Sequence, residues 1–135
     1  MIIGIDFDNT IINYENIFYK IALEKKLIPY HISKEKNSVR DFLRKKNIED
    51  EWTIIQGEVY GSRILEASIY PNFFKTLQTL NKNNIKVFIV SHKTKYPYLG
   101  EKVNLHKSAM KWMVKNEFFN EEGLNFSEKN IFFEV

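Results

Sequence analysis

The order of apolar runs in this sequence, strand then helices then strand then helix then strand, predicts an α/β fold built on a parallel sheet with crossover helices. Three observations carry that prediction. A short β-branched run, Ile2 to Phe7, opens the chain; a second, KVFIVS, begins at Lys86; a third, IFFEV, begins at Ile131. Between them lie stretches whose apolar residues recur at helical rather than alternating spacing.

The first run is compact and ends in carboxylates, as expected for a buried strand whose C-terminal end carries polar groups. Tyr14, Ile17, Phe18 and Ile21 then follow helical spacing, and Pro29 closes that helix shortly after Leu27. Val39, Phe42 and Leu43 mark a second helix. Trp52, Ile55 and Val59 mark a third, interrupted by Gly57. Pro71 sits where a first helical turn tolerates it, and Phe74, Leu77 and Leu80 continue one face up to the NKNN stretch at 81–84. After KVFIVS comes a turn-rich loop, HKTKYPYLGE. A helix from about Asn104 then shows Leu105, Ala109, Trp112 and Met113 on one face. The helical stretch between the first two strands exceeds what one crossover needs, so part of it is expected to be an insertion.

Composition narrows the function classes. A chain of 135 residues with 44% hydrophobic content suits one compact unit. Lys and Arg exceed Asp and Glu by 20 to 17, an excess that suits an anionic partner without implying nucleic acid. There is no cysteine, so a disulfide framework and a thiolate metal site are excluded and any metal must be held by oxygen or imidazole. His31 and His106 stand apart from any ligand spacing. The first ten residues are too short and too acidic for a signal peptide, and no long apolar run follows, so a soluble cytoplasmic protein without membrane partners is expected.

The chemistry is concentrated at IIGIDFDNT. A strand delivers Asp6 and Asp8, one residue apart, and then the hydroxyl of Thr10, at the sheet end where α/β proteins bind ligands. A carboxylate nucleophile, a neighbouring acid/base and a cation are what phosphoryl transfer through a covalent enzyme requires. The strand followed by Asp6-Phe7-Asp8-Asn9-Thr10 resembles the DxDxT first motif of the haloacid dehalogenase superfamily. KVFIVS, ending at Ser91, is similar to its second motif.

The resemblance implies a Rossmann-like sheet with helices on both faces, formed by residues 1–12 and 70–135, and a small helical cap, residues 13–69, inserted between the first two strands. It implies that Asp6 attacks phosphorus and that Asp8 protonates the leaving group. Mg2+ would be held by the Asp6 carboxylate and the Asp8 carbonyl. Thr10 would shape the loop, the backbone after Asp6 at Phe7 and Asp8 would contact the phosphoryl oxygens, and the Ser91 hydroxyl and His92 amide would add to those contacts. The substrate would be a small phosphorylated metabolite or nucleotide.

The family's third motif, a Lys, and its fourth, an acidic cluster, have no clear counterpart. Lys93 and Lys107 are the candidates for the Lys. The chain thus reads as a member truncated after the third core strand, which would leave Ile2 to Phe7 on an open edge. The alternative reading is a phosphate-binding or inactive fragment. Between Lys20 and Lys46, nine Lys and Arg face three Asp and Glu, which favours an anionic substrate.

Overall fold

The computed structural model describes residues 1–135 and forms an α/β fold around a small parallel sheet. Strand β1 (Ile2–Ile5) pairs in parallel with β4 (Lys86–His92), which pairs in parallel with β5 (Ile131–Glu134), giving the order β1-β4-β5. The register sets Ile5 against Ile89 and Ser91 against Phe133. All three runs foreseen from the sequence are strands. Helix α4 (Phe73–Lys82) connects β1 to β4 after the insertion, and α5 (Leu105–Lys115) connects β4 to β5. Asn104 caps α5, its side-chain oxygen accepting from the Lys107 amide at 3.0 Å.

Helices were expected on both faces of the sheet. The structure corrects this. Along β4, Val87, Ile89 and Ser91 are buried, whereas the alternate Val90 is 41% exposed and Phe132 beside it 43% exposed. Two right-handed crossovers that step the same way across a sheet place both helices on one face, which leaves the other open. The same arrangement leaves β1 paired on one side only, with Ile2 at 69% exposure.

The insertion holds α1 (Ile17–Glu24), α2 (Lys36–Lys45) and α3 (Glu49–Tyr60). Its ends are joined by an antiparallel ribbon too short for a sequence pattern to announce: β2 (Ile12–Asn13) against β3 (Ser68–Ile69). Phe18, Val39, Leu43, Trp52 and Ile55 of these helices belong to the same buried cluster as Val87, Ile89 and Trp112. Gly57 lies inside α3 because the loop after β4 crosses there: a Cβ would meet the Pro97 ring at 2.8 Å. No helix is long and apolar enough to cross a membrane.

Trp112 joins the parts. It is fully buried, meets Phe7 edge-on at 5.4 Å and Phe118 at 5.6 Å, and its indole N–H donates to the Ala67 carbonyl at 2.8 Å. Replacing it with Phe leaves that carbonyl buried without its donor and opens a small void. Trp112→Phe is therefore expected to cost about 2 to 3 kcal/mol, read as a lowered midpoint of urea unfolding by circular dichroism.

A surface network fastens α1 to the turn that closes the insertion: Arg63 bonds Glu24 at 2.8 Å and also Glu66, and Lys20 bonds Glu66 at 2.5 Å. Hydrogen bonds from Arg63 and then Lys20 hold the Glu66 carboxyl at about 2, against an ordinary 4.5. A lowered folded-state pKa adds stability that is complete above 4.5 and is lost as pH falls toward 2. At this exposure the network is worth about 1 kcal/mol or less. Wild type and Glu66→Gln should therefore differ in unfolding free energy at pH 5 and converge by pH 2.

Candidate active site

The turn after β1 is wound tightly. The Phe7 carbonyl accepts from the amides of Thr10, Ile11 and Ile12 at 3.3, 3.0 and 3.2 Å, and Asn9 takes a positive φ of 59° that the tight reversal needs. Phe7 points into the core and is fully buried. Asp6 is exposed, with its Oδ1 accepting from the Phe7 amide at 2.8 Å as its one bond to the protein. That engagement takes the Phe7 amide out of the set of free phosphate donors foreseen for it. The Asp8 amide donates to nothing, and Thr10 sits half-buried in the turn.

Asp8 is the better held of the two carboxylates. Lys93 Nζ lies 2.9 Å from its Oδ2 and 3.2 Å from its Oδ1, and the Tyr14 hydroxyl donates to Oδ1. Lys93 is the charged residue most deeply buried, its side chain 3% exposed, and its Nζ lies 4.6 Å from the centre of the Tyr60 ring. Its backbone is pinned from both sides: the amide donates to the Glu134 carbonyl at 2.8 Å, and its own carbonyl lies 2.7 Å from His106 Nε2. His106 in turn stacks on Phe133 at 4.6 Å. Burial, followed by the charge of Asp8, pushes the Tyr14 phenol far above its ordinary pKa, so it stays a donor.

Sequence reasoning named Lys93 without committing to it and read Tyr14 as the start of a helix face. A usable signal was present for Lys93. Side chains alternate along a strand, so a residue two beyond Ser91 shares its face. Lys107, the other candidate, is exposed on α5.

Ser91 is buried to 1% and its hydroxyl has no hydrogen-bond partner. Continuing the β1 to β4 register sets Asp6 level with Val90 and Phe7 level with Ser91, so Asp6 and Ser91 stand at the same end of neighbouring strands. The His92 side chain is exposed. Amides alternate sides along a strand, and since the Lys86 amide donates to Met1, that of His92 points past the end of β1. The structure thus brings Asp8, Tyr14, Tyr60 and Lys93 into direct contact, and places Asp6, Ser91 and His92 at the same sheet end without bonds among them.

Magnesium takes hard oxygen donors and commonly keeps several waters beside one or two carboxylates. Asp6 and the Asp8 carbonyl, which accepts no bond from the chain, fit that requirement in kind. No group of three His, Cys, Asp or Glu side chains gathers anywhere to complete a protein cage.

Beside this cluster a cavity of about 100 Å³ opens between Gln56 and Tyr60 of α3 and Thr94 and Tyr98 of the loop after β4. A roomier hollow of about 230 Å³, lined by Asn81, Asn84 and Asn130, lies at the opposite end of the strands, away from these groups. No protein-family model and no curated protein matches the chain.

Removing Lys93 strands a partly buried carboxylate, so Lys93→Met is expected to cost about 2 to 3 kcal/mol at pH 7. Because the cost comes from the unpaired partner, Lys93→Met combined with Asp8→Asn should be less destabilised than the two single changes summed, by about 1 to 2 kcal/mol. Chemical denaturation of the four proteins measures that coupling, and simple additivity would show the pair to be energetically idle.

Proposed function

We propose that the chain is a magnesium-dependent phosphomonoester hydrolase of the haloacid dehalogenase type, acting through an aspartyl-phosphate on Asp6. The observation that carries this reading is the buried Ser91 hydroxyl without a partner, at the same sheet end as Asp6. A buried polar group left unbonded is costly, and one at the sheet end that also carries a strand-ending carboxylate is accounted for by a ligand oxygen that completes it.

In the proposed reaction an Asp6 oxygen forms a bond to phosphorus as the ester oxygen leaves, and the leaving oxygen takes a proton from Asp8, which carries it once the incoming phosphoryl group draws Lys93 out of its ion pair. Water then attacks the aspartyl-phosphate, giving its proton to Asp8 and releasing inorganic phosphate. Ser91 Oγ and the amides of Asp8 and His92 bind the phosphoryl oxygens. Lys93 supplies the positive charge that keeps two carboxylates and an incoming phosphoryl group compatible. Tyr14, held protonated, orients Asp8. Mg2+ held by the Asp6 carboxylate and the Asp8 carbonyl would neutralise charge on the phosphoryl group.

A second reading, phosphate binding without turnover, is favoured by one observation: no third acidic or imidazole side chain joins Asp6 and Asp8.

The two readings separate in one assay. Hydrolysis of an aryl phosphate should require magnesium, stop with EDTA, and fall by on the order of a thousandfold or more in Asp6→Asn. Beryllofluoride should protect the wild-type protein against thermal unfolding but not Asp6→Asn. Binding of phosphate with no turnover would favour the second reading, and turnover surviving in Asp6→Asn would overturn the first.

A further inference from the structure

Lys36 occupies a position that disfavours a lysine on three counts. It is the first residue of α2, where the helix dipole repels a cation. It is half-buried, with its Nζ 5.1 Å from the centre of the Phe18 ring and 5.9 Å from that of Tyr60. It has no carboxylate partner: its one polar contact is the Tyr60 hydroxyl, at 3.1 Å. Burial pushes its pKa down and so do the charges of Arg40 and Lys93, against which only Asp8 acts. Asp8 is already bonded to Lys93. The Tyr60 ring thus has two cations against it, Lys36 and Lys93, and only Lys93 is paired with a carboxylate.

Neither helix formation nor packing calls for a lysine there, since an apolar side chain would fill the same space beside Phe18 and Tyr60 without a desolvated charge. A ligand anion accounts for it. We propose that Lys36 binds a second anionic group of the substrate, a carboxylate or a further phosphate, on a small phosphate ester whose phosphoryl group lies at Asp6. This inference rests on the hydrolase reading for the placement of the phosphoryl group, and it gives the inserted helices a part in choosing the substrate. The enzyme would then act on phosphorylated acids and bisphosphates in preference to neutral alcohol phosphates.

The test compares two esters that differ at one end, 3-phosphoglycerate and glycerol 3-phosphate, with magnesium present. Wild type should favour the phosphoglycerate by about tenfold or more in kcat/KM, the size of one charge-assisted hydrogen bond. Lys36→Met should bring the ratio to within about twofold of one, and Lys36→Arg should restore most of it. Propane-1,3-diol bisphosphate against the monophosphate asks whether a phosphate serves as well as a carboxylate.

Calorimetric titration of the same ligands into Asp6→Asn, with and without Lys36→Met, reads the preference without turnover. A Lys36-dependent preference in binding with no hydrolysis by wild type would uphold this inference while overturning the hydrolase reading. A ratio near one in wild type, a ratio unchanged in Lys36→Met, or no binding of either ligand would overturn the inference itself.

Discussion

The ion pair between Lys93 and Asp8 is the constraint around which the rest is arranged. Its two members follow different strands, 85 positions apart in the chain, and Asp8 is the one carboxylate within ion-pair distance of the buried Lys93 ammonium. Everything that fixes one end fixes the other. The parallel register of β1 and β4 sets the distance, Glu134 and His106 hold the Lys93 backbone, and the wound turn from Phe7 to Ile12 presents Asp8. Tyr14 and Tyr60 then close over the pair as a wall of donors and ring faces, each buried enough that its phenol keeps its proton. A pair of this kind contributes less to net stability than to specificity of arrangement, because its desolvation offsets much of its attraction.

How far this was legible in the sequence differs from element to element. The three strands were plain, since β-branched runs bounded by polar turns have few other uses, and α2, α3 and α5 followed from apolar spacing. The motif residues Asp6 and Asp8 stood out by type and place. Lys93 did not, because a lysine in a turn-rich loop reads as solvated until strand alternation is carried two residues past Ser91. Tyr14 fits a helical face as well as it fits its actual position ahead of α1, where its hydroxyl reaches Asp8. The covering of the sheet was harder to read, because strand order across a sheet is a long-range property; the face that carries Val90 and Phe132 is open.

The apolar side chains of the inserted helices run into the same core as the sheet. Trp112 shows how this is done. One indole ring touches the turn that carries the carboxylates, through Phe7, and the segment that ends the insertion, through the Ala67 carbonyl. The region that would select a substrate and the region that would transform it are thus braced by the same side chain, and the aromatic contacts of Phe18 with Trp52 and Tyr60 extend that brace outward toward Lys36.

The two-residue ribbon between Ile12 and Ile69 has an evolutionary consequence. By tying the exit and the return of the inserted segment together, it makes what lies between them a closed loop whose ends no longer depend on its contents. The chain entropy of such a loop grows only logarithmically with length, about 0.6 kcal/mol for each doubling. Residues could therefore be gained or lost at the exposed bend around Asn47, between α2 and α3, with little penalty to the parallel sheet. A lineage built on this plan can diversify through the length of that loop while the two carboxylates stay where they are.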